Sequence, residues 1–324
     1  MGVRRALFLA QQRRIDWENR MRIIVNGQQA FGKAVLEALL DRGDEVVGVF
    51  CAPDKEGRPA DPVKEAALGR GVPLHQPASY KDEATLQAMR ELQPDLMVMA
   101  YVIVFVPATA RDLPSHGSIC FHPSLLPRHR GPSSINWPII QGETRTGLTI
   151  FYPNDGLDEG EILLQKEVEI GPDDTLGTVY FQKIFQLGVD AMLESVDLIK
   201  AGQAPRIAQN ESQATYESWC KRSDAEIDWS KPAAEVYNLI RGTNPQPGAW
   251  TRCNGATLQI YDSAKLAIGG GAPGEVIALD ESGFTVATAD GAIQVQRVRP
   301  QGGGKVAAAD FAAESGLALG AKLG

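Results

Sequence analysis

Residues 117–131, Gly-Ser-Ile-Cys-Phe-His-Pro-Ser-Leu-Leu-Pro-Arg-His-Arg-Gly, hold the clearest candidate for proton chemistry in this 324-residue chain. A short apolar strand, Ser118 to Phe121, delivers His122 into a turn stiffened by two prolines. Pro123 and Pro127 fix their own φ and bias His122 and Leu126, the residues before them, away from helix. An imidazole at a strand exit on such a loop is well aimed, and Arg128 and Arg130 follow it closely in sequence. A second unusual stretch, Asn154-Asp-Gly-Leu-Asp-Glu-Gly160, offers several carboxylates on a glycine-punctuated loop after the apolar run Leu148–Tyr152. One histidine with one loop carboxylate is the minimum for general acid–base work. Nearby cysteines and histidines do not make a zinc ligand set, and no metal is expected.

The elements that must position this pair read as an open α/β sheet. Arg22–Asn26 is an apolar strand, Gly27 to Gly32 a turn into a helix that runs to Leu40, and Glu45–Phe50 the next strand, a β-α-β start. The glycines do not spell G-x-G-x-x-G, so they are read as permitting a tight strand-to-helix turn rather than as a dinucleotide fingerprint. After a polar loop at 53–62 come helices around Val63–Gly69 and Glu83–Leu92, a short strand near Val72–His75, and the apolar strand Asp95–Ala100. Its continuation, Tyr101 to Pro107, reaches the edge where open sheets gather ligands, and its apolar residues are placed to line a slot for a flat ring. Ile135–Gln141 is predicted as helix, Gly147–Tyr152 and Glu161–Ile170 as strands, and Thr175–Ala201 as one long amphipathic helix. Gly202–Thr215 has the composition of a linker.

Beyond it the texture changes. One helix, Ala233–Arg241, precedes alternating, glycine-punctuated runs, and Asn254-Gly255 between two of them is the strongest hairpin signal in the chain. About five strands are predicted, as a small barrel or sandwich. The net charge of −8 argues against wholesale nucleic-acid binding. Cys51, Cys120, Cys220 and Cys253 are scattered without a C-x-x-C pair, which favours reduced thiols and a cytoplasmic location. No run approaches the roughly 20 apolar residues a membrane helix needs. Residues 1–20, rich in arginine around the short run Ala6–Ala10, lack the pattern of a signal peptide. They read as an amphipathic extension or the product of an upstream start codon.

Three stretches carry a family resemblance: His122 to Gly131, Asp155-Gly-Leu-Asp-Glu-Gly160, and Arg241-Gly-Thr-Asn-Pro-Gln-Pro-Gly-Ala-Trp250. The chain resembles the 10-formyltetrahydrofolate-dependent formyltransferase superfamily from about Met21 to its end, and the spacing of 36 residues from His122 to Asp158 matches that family's own. The 122–131 stretch with Asn136-Trp137 is similar to the hydrolase domain of 10-formyltetrahydrofolate dehydrogenase; the C-terminal part is also similar to methionyl-tRNA formyltransferase. The fold class expected is thus α/β, a Rossmann-like, mostly parallel sheet with helices on both faces, followed by a small OB-like β-barrel domain. The expected division is an extension over 1–20, a catalytic domain over 21–205 and the β-barrel domain over 206–324.

The resemblance implies His122 and Asp158 as the catalytic pair. It assigns Val104, Phe105 and Val106 to a folate-contacting segment, and Ser124, Leu125, Leu126 and Pro127 to a loop lining the same site, with Asp158 also touching folate. Where the family's pattern has Asn two residues before the histidine, this chain has Cys120, an auxiliary candidate; the dehydrogenase's hydrolase domain also lacks that Asn. The loop at 54–62 is shorter and less basic than the one tRNA-formylating members use. The reading that follows is an enzyme using 10-formyltetrahydrofolate as formyl donor, without metal, and passing the formyl to water or a small amine. The alternatives are a methionyl-tRNA formyltransferase taking initiator methionyl-tRNA, a sugar-nucleotide N-formyltransferase, or a non-catalytic folate-binding protein. Folate is the expected partner under each of them, a membrane is not, and the oligomeric state is open.

Overall fold

The computed structural model describes residues 20–324. The extension expected over 1–20 therefore lies, apart from Arg20, outside the described residues. Packing divides the chain into two units. Of the described residues, the first comprises 20–122 together with 148–166 and 185–211; the second comprises 123–147, 167–184 and 212–324.

In the first unit, β1 (Arg22–Gly27) leads into α1 (Gln29–Arg42) and β2 (Glu45–Phe50). Then come α2 (Pro62–Gly69), β3 (Leu74–His75), α3 (Glu83–Glu91), β4 (Leu96–Ala100), the short α4 (Ala108–Arg111) and β5 (Ser118–His122). The unit also holds the larger part of β6 (Arg145–Phe151) and β7 (Ile162–Glu169), and the helix α6 (Phe185–Lys200), which follows α5 (Asn136–Ile140) of the second unit in the chain. The seven strands run in the order β3-β2-β1-β4-β5-β6-β7. Those from β3 to β5 pair in parallel, and β6 is antiparallel to β5.

The glycines of the first turn serve close approach. A Cβ on Gly27 would sit 2.6 Å from the Ala100 carbonyl oxygen, and one on Gly32 would sit 2.9 Å from the carbonyl carbon of Gly27. Helix α1 can lie hard against β1 and β4 only because both positions lack a side chain. One face of the sheet carries Ile24, Phe50, Met97 and Met99, covered by Leu86 and Met89 of α3 and Ala110 of α4. On the other face Phe31 of α1 packs against Phe121 of β5, with ring centroids 4.2 Å apart, and against Phe185 of α6. Helices thus cover both faces, as expected.

Chain order reverses at β1, which pairs with β2 on one side and β4 on the other. Crevices outside the carboxyl ends of such strands are where open sheets take ligands. That edge carries the turn after β1, the 101–107 segment after β4 and His122 at the end of β5. The apolar run 101–106, read as prolonging β4, is a loop: β4 stops at Ala100 and Tyr101 takes a positive φ of 63°.

The second unit contains α7 (Ala233–Gly242) and two four-stranded antiparallel sheets. Their strands are β8 (Ala249–Cys253), β9 (Ala256–Ile260), β10 (Ser263–Leu266), β11 (Val276–Asp280), β12 (Gly283–Ala287), β13 (Ala292–Val295), β14 (Arg297–Pro300) and β15 (Val306–Ala307), and α8 (Ala308–Ser315) follows. They enclose a core that includes Trp229, Ile240, Leu258, Phe284 and Val298. The run 292–298 is divided between two strands, β13 and β14. Gln296 and Arg297 both donate their N–H to the Asp262 carbonyl, and there the chain passes from one sheet to the other. The helix predicted over 175–201 begins at a Thr175 capping box and passes through a π-helical turn, Val179–Ile184, before α6.

Candidate active site

Strand β5 alternates its side chains across the sheet, so Ser118, Cys120 and His122 share one face while Ile119 and Phe121 take the other. His122 is the last residue of β5 and is only 7% exposed. It pairs across the sheet with Thr149 of β6, whose hydroxyl oxygen accepts a hydrogen bond from Gln165 Nε2 at 2.9 Å.

The loop between β6 and β7 returns Asp158 to that imidazole. Asp158 Oδ2 lies 3.6 Å from His122 Nδ1, with the carboxylate side chain 16% exposed. This is an ion-pair spacing, longer than a hydrogen bond. Catalytic contacts in a ligand-free site are often long and tighten when substrate is bound. Of the loop's acidic residues Asp155 and Glu159 are exposed, and Asp158 is the partly buried one facing His122. Its backbone is left-handed, φ 57°, a conformation Asp tolerates better than most side chains.

Two side chains that the sequence did not single out hold this loop. Buried Arg111, at the end of α4, donates from Nη1 to the Asn154 carbonyl at 2.8 Å and pairs through Nη2 with Asp155 at 2.8 Å. Its own carbonyl accepts from Ser118 Oγ at 2.5 Å, tying the brace to the start of β5. Gln209 Nε2 donates to the carbonyls of Asp158 and Gly160 at 2.8 and 2.7 Å. Gln209 lies in the stretch read as a linker, yet residues 206–209 are fastened down. Ile207 and Ile162 exchange backbone hydrogen bonds of 2.8 and 3.0 Å, and the Arg206 guanidinium lies 3.7 Å from the centroid of the Tyr152 ring. Polar composition alone carried no trace of this pairing.

Cys120 sits on the His122 face but packs against the cluster around Met97, Met99 and Val106. Burial, and then the negative charge of Asp158, push its thiol well above the usual thiol range. A neutral thiol is a weak donor and a poor nucleophile. The neighbouring segment divides by residue. Val104 and Val106 pack into that same cluster, whereas Tyr101, Ile103 and Phe105 face solvent, Phe105 at 67% exposure. Lys81 Nζ stands 5.9 Å from the Phe105 ring centroid.

In the second unit Ser124 is fully buried and its hydroxyl donates to the Arg128 carbonyl at 2.7 Å, closing the turn that the prolines bias. Leu126 and Pro127 are buried and joined by a cis peptide, while Leu125 is half-buried. Arg128 pairs with Glu143. His129 is buried between two carboxylates, Glu143 at 3.2 Å from Nε2 and Glu217 at 3.2 Å from Nδ1. Among the described residues no group of three or more His, Cys, Asp or Glu is arranged to hold a metal ion. Among them, too, no helix is long and apolar enough to cross a membrane.

A family model described as formyl transferase matches residues 19–196, and one described as formyl transferase, C-terminal domain, matches residues 220–316. Cytosolic 10-formyltetrahydrofolate dehydrogenase from Xenopus tropicalis is 42% identical over 254 residues, covering 77% of this chain. The chain spans only 28% of that relative's length. Methionyl-tRNA formyltransferase from Trichlorobacter lovleyi is 39% identical over 307 residues, 93% of this chain and 96% of the relative. Among solved structures, HypX from Aquifex aeolicus in complex with tetrahydrofolic acid gives a TM-score of 0.68 at 18% identity, covering 93% of this chain and 48% of HypX. At that identity the likeness is one of fold.

Proposed function

This chain belongs to the formyl transferase family, and on that premise we propose that it removes the formyl group from 10-formyltetrahydrofolate and passes it to water or a small amine. The observation that carries the reading is the approach of His122 and Asp158 to 3.6 Å from positions 36 residues apart in the chain. The formyl group on N10 is an amide-like carbonyl. Attack on it creates a tetrahedral oxyanion, and collapse of that intermediate expels the folate nitrogen, which takes up the proton that the nucleophile gave to Asp158. His122 donates a hydrogen bond to the oxyanion, a service worth about 3–4 kcal/mol per donor where it has been measured. Asp158 orients the imidazole and takes the proton from the incoming nucleophile. Cys120, a neutral thiol where the family's pattern has Asn, adds little to the oxyanion, so His122 carries most of the stabilisation.

The donor's ring system needs apolar surface near this pair. Tyr101, Ile103 and Phe105 present it at the carboxyl edge of the sheet, backed by Val104 and Val106. The free cysteines suit a reducing, cytoplasmic setting.

A second reading, formyl transfer to initiator methionyl-tRNA, is favoured by the methionyl-tRNA formyltransferase match over 93% of this chain and 96% of that relative. One experiment separates the two. The protein is incubated with 10-formyltetrahydrofolate alone, with small amines, and with charged initiator tRNA. Release of formate or formylation of a small amine without tRNA supports the first reading. Formyl on methionine, and turnover only when tRNA is present, replaces it with the second. No turnover with any acceptor, alongside retained folate binding, overturns both.

A further inference from the structure

We propose that Gln209 is a positioning residue that sets the Asp158 carboxylate against His122; the proposal rests on the formyl-transfer reading of that pair. The Gln209 side-chain nitrogen carries two hydrogens and donates to two carbonyls, Asp158 at 2.8 Å and Gly160 at 2.7 Å. A planar amide that bridges residues 158 and 160 fixes the distance between those carbonyls. It thereby fixes the main chain that aims the Asp158 side chain. Asp158 has reason to need the clamp, because its φ of 57° lies where a residue with a Cβ rarely rests without surrounding structure to hold it. Gly160 closes the other side: a Cβ there would fall 1.7 Å from the Tyr152 carbonyl oxygen, so the chain must pass that point without a side chain.

The clamp is itself anchored. Arg206 lies over the Tyr152 ring and pairs with Glu161 at 2.9 Å, and Ile207 exchanges both backbone hydrogen bonds with Ile162. Residues 206, 207 and 209 thus grip both stems of the β6–β7 loop and the backbone of Asp158 itself. Arg111 meets the loop at Asn154 and Asp155, three or more residues from the carboxylate, whereas Gln209 holds the residue that bears it. Both of these hydrogen bonds end on main-chain oxygens of the loop, so the effect of Gln209 on the chemistry passes through Asp158.

The test is Gln209→Glu, which keeps the shape but sets an oxygen against both carbonyl oxygens, with Gln209→Ala as the milder variant should the first fail to fold. The expected result for Gln209→Glu is a loss of about 10- to 100-fold in kcat with 10-formyltetrahydrofolate, from displacement of a catalytic group by an ångström or less. KM is expected to stay within about threefold, because the clamp acts on a group needed in the transition state rather than on ground-state binding. In an Asp158→Asn background the same substitution is expected to change the rate by less than about twofold, since residues acting as a unit are not additive. A crystal structure of Gln209→Ala is expected to show the Asp158 carboxylate withdrawn from His122.

An equal loss in both backgrounds overturns the proposal. So does a fall in Tm with kcat per folded molecule unchanged, or an undisturbed Asp158 in the crystal. Failure of the wild-type protein to turn over formyl-folate would instead defeat the functional reading, and the crystal structure would still report on the clamp.

Discussion

Two loops of the first unit, assigned to one site by the proposed reaction, are built in opposite ways. The loop bearing Asp158 is tethered by side chains from distant parts of the chain, Arg111 at Asn154 and Asp155 and Gln209 at Asp158 and Gly160. Among the described residues, the loop after β4 shows no comparable side-chain tether. Val104 and Val106 pack inward, and Tyr101, Ile103 and Phe105 face outward. The difference follows from what each has to do. A proton-transferring carboxylate works only within a few tenths of an ångström of its place, so its backbone must be held. A surface that binds a ring works through apolar area, which tolerates small displacements. If this contrast is right, damage to the first loop appears in kcat and damage to the second in KM.

The largest effects test the pair at the end of the tethered loop. His122→Ala and Asp158→Ala are each expected to lower kcat by about 10²- to 10⁴-fold, the combined range for losing a general acid–base group or an oxyanion donor. Circular dichroism is expected to stay near wild type, with Tm lowered modestly for the buried His122 and less for Asp158. A variant that kept near-full rate would remove that residue from the mechanism. One step smaller is Arg111→Met, which keeps the apolar stem but leaves the Asn154 carbonyl without its donor and Asp155 without its cation. The cost in stability is expected to be about 1–3 kcal/mol, read by denaturant unfolding, because Arg111 is buried and its partner oxygen loses a charged donor. The rate is expected to fall about tenfold, less than for Gln209→Glu, since the lost contact lies farther from the reacting carboxylate.

The untethered loop is tested by Phe105→Ala. Phe105 is 67% exposed, so its removal should leave Tm unchanged. KM for the folate donor is expected to rise about 5- to 10-fold with kcat within twofold, the pattern of lost uniform binding. A fall in kcat without a rise in KM would erase the distinction between the loops.

How far the sequence foretold these loops depends on where each one's determinants lie. The strands from β1 to β5 were legible because each is a short apolar run closed by polar or glycine punctuation. His122 and Asp158 were legible as residue types, and their pairing came from the family's spacing. The 101–106 run was misread as strand because an apolar edge loop and a buried strand share a composition, and the left-handed turn at Tyr101 has no signature in the letters. Gln209 and Arg111 were invisible for a different reason. Their partners lie 51 and 43 residues away, and a lone Gln in a polar stretch looks the same whether or not it grips a carbonyl. Of the eight C-terminal strands five were expected; one of the other three arises at Gln296, where backbone hydrogen bonds to Asp262 divide a run that period-two patterning does not break.

Cys120 stands between the two loops and gives the smallest and most discriminating effect. It packs with Val104 and Val106 on one side and feels the charge of Asp158 on the other. Burial is the larger cause of its raised thiol pKa and Asp158 the smaller. Removing the charge with Asp158→Asn therefore moves the thiol back toward its ordinary value, but only part of the way. Alkylation at pH 9, followed by mass spectrometry of the Cys120 peptide, is expected to speed up by a few-fold at most in that variant, because thiolate fraction scales with the shift and burial still limits access. Opening the other side with Val104→Ala attacks the dominant cause and is expected to speed alkylation more. The reverse order would mean that the charge of the tethered loop, and not the packing of the free one, governs the thiol. Cys120→Ala is expected to keep kcat within about threefold, as befits a neutral packing group rather than a nucleophile.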